Sequence, residues 1–292
     1  MNAPVRNASI RLSADVGGTF TDVAAFDEKT GELRLGKTLT TPQRLVTGID
    51  NGVGKAGSHF NQARLFLHGT TTAINTILER KGSLCALLTT QGFRDIYEIG
   101  RVNRPEAYNL FFKKHEPLIG RELRYEISER CDAQGTVLLK LDEEQVRKCA
   151  REAVAQGVKA IAILFLHSYR NPAHEQRVAE LLRAACPGLA LSLASEVCPE
   201  IREYERQSTT CANAYVQPLM ASYLERLAAQ LEQRGLRCPL YLMTSGGGGQ
   251  YDMVSASGDA SLRLIYAGAV AEVNVNLIPA YKDFFKAFQS PP

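Results

Sequence analysis

The segment at residues 15–22, with the sequence DVGGTFTD, most limits what this chain can fold into. It lies between two strand-like runs, residues 10–16, in which apolar side chains alternate, and residues 21–26, which are rich in β-forming residues. Two adjacent glycines at the reversal permit backbone conformations that are closed to other residues. The segment therefore predicts an antiparallel hairpin at the start of the fold.

The turn of this hairpin has the groups that a phosphate site needs. Successive backbone N–H groups around two glycines can form a concave anion-binding surface, and threonine hydroxyls add donors. We predict phosphate contacts from Gly17, Gly18, Thr19, Phe20 and Thr21. Asp15, at the end of the first strand, is placed to orient Mg²⁺ or its bound water, so Asp15 and Thr19 are the predicted catalytic residues. A hairpin in which the glycines only make the turn is the alternative.

The rest of the pattern predicts the fold class. A third strand-like run at residues 32–40 completes a β-meander, and helical segments then alternate with short apolar strands. A long helical stretch at residues 200–234 and a strand at residues 239–243 follow. This order predicts an α/β fold with a mixed sheet. It fits the ribonuclease-H-like lobe of the actin, sugar-kinase and Hsp70-type ATPases, with an additional α/β subdomain.

Composition and charge exclude several classes of protein. The chain has 292 residues, 45% of them hydrophobic, and a net charge of only +3 with its basic residues scattered, which argues against nucleic-acid binding. No apolar run approaches the roughly 20 residues that a membrane helix needs, and no secretory signal is recognised at the start. Seven cysteines without a CxxC pair are typical of reduced, buried thiols, so we expect a cytoplasmic protein without a membrane partner.

A second group of candidate residues follows the predicted strand at residues 64–67. The sequence His-Gly-Thr-Thr at residues 68–71 precedes a predicted helix at residues 72–80, and a helix N-terminus offers free N–H donors to an anion or a carbonyl. An ordinary helix cap is the alternative. We include as cleft or substrate residues His68, Thr70, Thr71 and Asn75.

Two further polar groups have ordinary explanations beside the functional ones. Glu203 and Arg206 lie at the start of the long predicted helix, where ion pairs at helical spacing would form a solvated face; they are also candidate substrate contacts. His167, His174 and Glu175 flank a predicted helix start, for which a capped helix with satisfied side chains is favoured over a ligand site.

Beyond these single sites, the chain resembles the hydantoinase A/5-oxoprolinase family over about residues 9–249. That family includes ATP-dependent N-methylhydantoinases, 5-oxoprolinases and related subunits of acetone and acetophenone carboxylases. The motifs that carry the resemblance occur in the family's order: ADVGGTFTD at 14–22, HGTT at 68–71, LERKG at 78–82, QGFRD at 91–95, HSYRNPAHE at 167–175, PEIREYER at 199–206 and NAY at 213–215.

The resemblance implies a function and its requirements. An enzyme of this kind uses ATP to phosphorylate the oxygen of a cyclic amide, such as a hydantoin or 5-oxoproline, and then opens the ring by hydrolysis. It implies ATP, Mg²⁺, a monovalent cation and a hydantoinase B-type partner subunit, with oligomers when the protein is full length. One alternative is a subunit of an ATP-dependent ketone carboxylase of the acetone or acetophenone type. The other is an inactive fragment or a binding lobe.

The resemblance also predicts the domain organisation. We expect a disordered tail at residues 1–8, the hydantoinase/oxoprolinase N-terminal domain at 9–190, the start of the hydantoinase A domain at 191–249, and a divergent tail at 250–292. Family members are longer and carry a second Asp-x-Gly-Gly-Thr element, which this sequence lacks. We therefore expect a truncated chain that supplies one side of a phosphate clamp. The segment at residues 245–249, a serine followed by four glycines, is either a turn near the nucleotide or a flexible loop.

Overall fold

The computed structural model describes residues 8–41, 45–102, 108–112 and 116–243. These residues form two compact units. The first comprises the described residues up to Thr71 and from Leu227 onward, and the second comprises those from Thr72 to Arg226. Residues 1–7 of the predicted tail, the segment at 245–249 and the predicted divergent tail lie outside the described residues.

The described strands and helices follow the predicted order closely. The strands are β1 (Ile10–Val16), β2 (Phe20–Asp27), β3 (Leu33–Leu39), β4 (Ala63–Thr70), β5 (Cys85–Thr90), β6 (Arg124–Ile127), β7 (Arg130–Cys131), β8 (Val137–Leu139), β9 (Ala160–Leu164), β10 (Ala190–Leu193) and β11 (Leu240–Met243). The α-helices are α1 (Leu45–Lys55), α2 (Thr72–Leu78), α3 (Ile96–Ile99), α4 (Glu143–Ala155), α5 (Ala173–Ala185), α6 (Ala194–Val197) and α7 (Glu203–Gln233).

The first unit contains a five-stranded mixed sheet in the order β11-β4-β1-β2-β3. Strands β1, β2 and β3 form the antiparallel meander, while β4 and β11 run parallel to β1. Helix α1 covers one face, where a Cβ added to Gly36 would lie 2.1 Å from the carbonyl oxygen of Gly52. Glycine at both positions therefore lets the helix backbone rest directly on the sheet. The predicted mixed-sheet α/β fold class is confirmed.

The second unit contains a four-stranded parallel sheet in the order β10-β9-β5-β6. Every residue of β5 and β9 is buried, because parallel strands covered on both faces are apolar throughout rather than alternating. Helix α4 begins at an N-cap, Asp142, whose side chain accepts a hydrogen bond from the Gln145 N–H. Strands β7 and β8 form a separate two-stranded hairpin.

A few elements differ from the sequence-based prediction. The helix predicted at residues 72–80 ends at Leu78, and the helical stretch predicted from residue 200 begins at Glu203. Strand β8 was not singled out, because three exposed apolar residues give no periodic pattern. Among the described residues, no helix combines the length and the apolar character that crossing a membrane requires.

Candidate active site

The predicted phosphate loop is a two-residue turn between β1 and β2. Val16 pairs with Thr21, and the Gly17 N–H donates to the Phe20 carbonyl oxygen at 3.0 Å, which closes the turn. The Gly17 N–H is therefore not available to a phosphate, contrary to the prediction for its amide. Gly18 and Thr19 are exposed at the tip, and within the described part of the chain their N–H groups donate no backbone hydrogen bond. Two adjacent amides thus remain open for an anion.

The side chain of Thr21 supports this turn from the covered face of the sheet. Thr21 is buried, and its Oγ1 lies 3.0 Å from Thr40 Oγ1. Thr40 Oγ1 in turn donates to the Gly17 carbonyl oxygen at 2.9 Å, so the Thr21 hydroxyl is the donor to Thr40. The predicted direct contact between Thr21 and a phosphate is wrong, because strand alternation places this residue on the covered face of the sheet. Thr21 positions the loop instead.

Asp15 lies on the opposite, exposed face of the hairpin. It pairs in register with Gly69 of β4, and a Cβ added to Gly69 would lie 2.9 Å from Asp15 Oδ1. The carboxylate therefore occupies the space that any larger residue at position 69 would need. Phe20 is also exposed, with Lys37 Nζ 4.8 Å from its ring centroid, so its ring borders the same face.

The residues present at this face fit a magnesium ion. Asp15 and Asp22 are directly opposite each other in the β1–β2 register, and both are exposed. The Cβ atoms of residues at such positions are about 5 Å apart. Like charges there destabilise the strand pair unless a cation compensates them. Lys37 Nζ lies 3.0 Å from Asp22 Oδ1 and compensates the charge of Asp22. Because Mg²⁺ binds through one or two carboxylates together with phosphate oxygens, Asp15 is the natural ligand.

His68 is placed differently from its prediction as a cleft contact. It is fully buried, and burial lowers the pKa of its imidazole to about 4, with a smaller opposing effect from a hydrogen bond to the Ala14 backbone. Gly69, one residue along the strand, faces Asp15, so His68 must face the other side. His68 is therefore neutral at pH 7 and braces β1 next to Asp15, and the predicted contact with substrate is wrong.

This burial predicts a pH-dependent stability. The pKa of His68 in the folded chain lies below its ordinary value of 6.5, so the unfolded chain binds the proton more tightly. The contribution of His68 to the free energy of unfolding is therefore fully present above pH 6.5. This contribution, about 3 kcal/mol in total, is lost as the pH falls toward 4. Urea unfolding between pH 7 and pH 4 measures this loss. His68→Gln should flatten the profile, whereas His59→Gln at an exposed position should leave it unchanged.

The contact between Gly69 and Asp15 gives a second prediction. In Gly69→Ala, the new methyl group must push the Asp15 carboxylate aside. We expect the ATP turnover that the family resemblance implies to fall by about 10- to 100-fold, as for small misplacements of catalytic groups. Gly54→Ala is the matched control, since a Cβ there meets nothing within 4 Å. This helical substitution should stabilise the chain by about 0.5–1 kcal/mol and leave turnover intact. Equal turnover in both variants would remove the assigned role of Gly69.

The remaining candidates are divided between the two units. Thr70, at the end of β4, is half-buried and Thr71 is exposed, and both belong to the first unit. Helix α2 begins at Thr72 as predicted, and it belongs with Asn75 to the second unit. Glu203 begins α7, also in the second unit, and is half-buried. Direct contacts of these four residues with substrate remain predictions.

Arg206 is a structural residue and not a substrate contact. Its side chain is fully buried in the second unit, where it donates to the Phe165 carbonyl oxygen at 3.2 Å and to Ser168 Oγ. The Glu175 carboxylate, also fully buried, lies 3.7 Å away. The predicted solvated, ion-paired face is also wrong for this residue. The spacing of Arg206 from the charged residues of its own helix could not reveal its partner Glu175, because Glu175 lies on α5.

A separate cavity lies in the first unit, away from the residues predicted to act on substrate. Its volume is about 800 Å³, and polar residues of α1 and of the connection to β4 line much of it, with Arg234 at its edge. None of the predicted site residues contributes to its wall. The turn between β1 and β2 therefore remains the candidate site, because a phosphate loop presents its amides at an open edge and does not need an enclosed cavity.

Two family models match the sequence. The hydantoinase/oxoprolinase N-terminal region matches residues 11–186, and the hydantoinase/oxoprolinase model matches residues 206–275. The second match runs past residue 249, where the resemblance was expected to end. The turn between β1 and β2, Gly69 and most of the parallel sheet of the second unit lie within the first match.

Similar proteins cover much of this chain but are longer than it. A protein of Methanocaldococcus jannaschii is 40% identical over 241 residues, which is 82% of this chain and 35% of that protein. The caprolactamase subunit alpha of Pseudomonas jessenii is 36% identical over 248 residues, which is 82% of this chain and 36% of that protein. The chain thus spans about a third of the length of these relatives.

Two solved structures share the fold. The crystal structure of the ATP-dependent caprolactamase from Pseudomonas jessenii superposes with a TM-score of 0.72 at 36% identity, covering 82% of this chain and 36% of that one. Nucleotide-free acetone carboxylase, described for ATP-dependent acetone carboxylation, gives a TM-score of 0.72 at 26% identity, covering 82% of this chain and 37% of that one.

Proposed function

Because the chain belongs to the hydantoinase/oxoprolinase family, we propose that it supplies part of the ATP site of an enzyme that opens cyclic amides. The observation that carries the proposal is the face formed by Asp15, Gly69 and the tip of the β1–β2 turn. An exposed carboxylate lies there beside the turn whose tip presents two open amides. This combination suits the phosphate groups of a nucleotide with their metal ion.

Each residue of this face has a specific task in the proposed reaction. The N–H groups of Gly18 and Thr19, with the Thr19 hydroxyl, bind phosphate oxygens, and Asp15 orients Mg²⁺ or its bound water. When bound, Mg²⁺ neutralises charge on the phosphates. The amide oxygen of the substrate attacks the γ-phosphorus and ADP leaves. Water then adds to the activated carbon, and the ring C–N bond breaks as the nitrogen takes up a proton. A second water hydrolyses the resulting acyl phosphate to a carboxylate and phosphate. The chain contributes positioning and charge stabilisation, as phosphoryl transfer requires.

A cyclic amide is favoured as substrate by the relative with that activity in its name. The caprolactamase subunit alpha is 36% identical to this chain, and its structure superposes with a TM-score of 0.72. A hydantoin or 5-oxoproline presents the same ring amide as a lactam. The second candidate is phosphorylation of a ketone followed by carboxylation, which is favoured by the superposition on acetone carboxylase.

The relatives also favour further components. Because the caprolactamase relative is a subunit and acetone carboxylase has a related beta subunit, we propose a hydantoinase B-type partner and an oligomeric enzyme. The Asp15 carboxylate supports Mg²⁺, and the family resemblance favours a monovalent cation. Use of ATP and the buried thiols favour the cytoplasm. The third possibility, an inactive fragment or a binding lobe, predicts absent or millimolar binding of Mg-ATP by calorimetry.

The test is substrate-dependent formation of ADP by this chain together with its partner subunit. We expect 5-oxoproline, hydantoin or caprolactam to stimulate ADP release, with the ring-opened product formed in equal amount. Stimulation only by acetone or acetophenone with bicarbonate would select the carboxylase instead. No stimulation by any of these compounds, with no binding of Mg-ATP, would contradict both enzymatic proposals.

A further inference from the structure

Three potential metal ligands meet in the second unit. Glu129 lies in the connection between β6 and β7, Cys131 lies in β7, and His174 is at the start of α5. Their ligand atoms all lie within 4.8 Å of one another. His174 Nδ1 is 2.8 Å from Glu129 Oε2 and 3.9 Å from Cys131 Sγ. One imidazole nitrogen therefore faces both the carboxylate and the thiol.

The carboxylate of Glu129 is held in place by a second layer of hydrogen bonds. Thr90 Oγ1 accepts a hydrogen bond from the Leu166 N–H at 3.0 Å, so its own proton points elsewhere. That proton is donated to Glu129 Oε1, which leaves Oε2 directed at His174. Hydrogen bonds that fix the orientation of a ligating carboxylate are typical of metal sites.

The cluster is largely enclosed by the rest of the second unit. The Glu129 side chain is 0% exposed and that of His174 is 13% exposed. Burial of a carboxylate requires a compensating charge or strong hydrogen bonds. The neighbouring Arg130 does not supply the compensating charge. Its guanidinium lies 4.9 Å from the Phe93 ring centroid and donates to the Gln91 carbonyl oxygen.

We propose that Glu129, Cys131 and His174 bind a zinc ion through Glu129 Oε2, Cys131 Sγ and His174 Nδ1, with water as the fourth ligand. A set of one sulfur, one nitrogen and one oxygen ligand suits Zn²⁺ better than magnesium or calcium. Zn–N and Zn–O distances of about 2.0 Å and a Zn–S distance of about 2.3 Å require the cluster to adjust only slightly around the ion. The carboxylate and the thiolate together balance its charge of two.

Binding of the ion changes the protonation of two ligands. The Cys131 thiol releases its proton to solvent, because the thiolate is the ligand. The neutral imidazole carries its proton on Nε2 once Nδ1 coordinates the metal. The sequence favoured a capped helix with satisfied side chains around His174. The N-cap position of α5 is Pro172, which makes no side-chain capping bond, and the Ala173 N–H donates to Asn171 Oδ1 at 3.1 Å. This bond does not use the imidazole of His174.

Cobalt substitution in the full 292-residue chain tests the site. After metal removal, one equivalent of Co²⁺ should give the visible bands of a tetrahedral site and a thiolate-to-cobalt charge-transfer band, and Zn²⁺ should displace it. Cys131→Ser should abolish the charge-transfer band, while Cys186→Ser, a half-buried cysteine at the end of α5, should retain it. Thr90→Val should weaken cobalt binding by about 10- to 100-fold, with affinity rescued by Thr90→Ser.

Other results would overturn the zinc site. These are the absence of a stoichiometric cobalt complex, a charge-transfer band that survives in Cys131→Ser, or one that disappears in Cys186→Ser. If Cys131→Ser does not fold, as judged by circular dichroism, His174→Gln decides: a weakened tetrahedral spectrum supports the site and an unchanged one excludes it. None of these readouts depends on ATP or on the proposed hydrolysis, so the two proposals fail independently.

Discussion

Under the proposed function, replacing Asp15 with asparagine is expected to lower the ATP turnover measured with the proposed partner subunit by about 10²- to 10³-fold. The substitution preserves size but removes the charge that orients the metal ion beside the phosphates. Because the new amide side chain still fits over Gly69, the fold should be unchanged. The loss should appear mainly in kcat, since the amides of Gly18 and Thr19 still bind phosphate. Steady-state measurement of ADP release at varied Mg-ATP separates the two constants.

Asp27→Asn is the matched control for this result. Asp27 ends β2 at the far end of the same hairpin, where its Oδ1 accepts a hydrogen bond from the Lys29 N–H at 2.9 Å. An asparagine oxygen can accept the same bond, so turnover should match that of the unmodified chain. Asp15→Asn turnover within about twofold of the control would mean that this carboxylate does not serve the reaction, whatever the amides bind.

Much of the geometry of the β1–β2 hairpin could be predicted because its pattern is local. Alternation in β1 buries Ile10, Leu12, Ala14 and Val16, which leaves Asp15 on the exposed face. The two strand-like runs are joined by a short turn, and the register of a hairpin follows from its turn. The same reasoning would have placed Thr21 on the covered face, although a hydroxyl in a glycine loop suggested a phosphate contact. The error came from weighing residue type without the strand's period of two.

The wrong prediction for His68 also came from weighing residue type without the strand's period of two. The motif His-Gly-Thr-Thr suggested a group of residues acting together, but adjacent strand residues face opposite sides of a sheet. Gly69 meets Asp15 while His68 is enclosed. The residue of the motif that contacts Asp15 is thus the glycine. This contact could not be predicted before β4 was known to lie beside β1.

Contacts between distant segments could not be predicted from one sequence. Glu129 and His174 are 45 residues apart, and Arg206 contacts Ser168 from 38 residues away. No helical or strand period connects such positions, and the cysteine pattern gave no metal motif because Cys131 is the cluster's one thiol. The division of the chain at residues 71 and 226 was also not apparent, since the first unit combines both ends of the described sequence.

Replacing Arg206 with methionine is expected to destabilise the second unit by about 3–5 kcal/mol, the usual cost of leaving a buried charge without its partner. Glu175 Oε1 accepts from the Phe165 N–H at 2.9 Å and Oε2 from the Ser195 N–H at 2.8 Å, so the carboxylate cannot move away. Burial raises the pKa of Glu175 and lowers that of Arg206. Without the guanidinium, Glu175 takes up a proton in the folded chain more readily than in the unfolded chain.

The sign of the pH dependence identifies this mechanism. With the pKa of Glu175 raised in the folded state, the stability that Arg206→Met loses relative to the unmodified chain should be smallest at low pH and should grow as the pH rises above the ordinary value of 4.5. Urea unfolding followed by circular dichroism, with hydrogen exchange of the β9 amides, measures it. The double variant Glu175→Gln/Arg206→Met should recover part of the stability and lose this pH dependence.

A control on the same helix separates loss of the pair from loss of any arginine. Arg226 is exposed on α7, and Arg226→Met should change the free energy of unfolding by less than about 0.5 kcal/mol. If Arg206→Met proved equally harmless, the buried pair would not hold α7 against the segment after β9. If instead Arg206→Met kept full stability but raised the KM for substrate, the assignment of Arg206 to the substrate cleft would be restored. The buried contacts to Phe165, Ser168 and Glu175 predict the opposite.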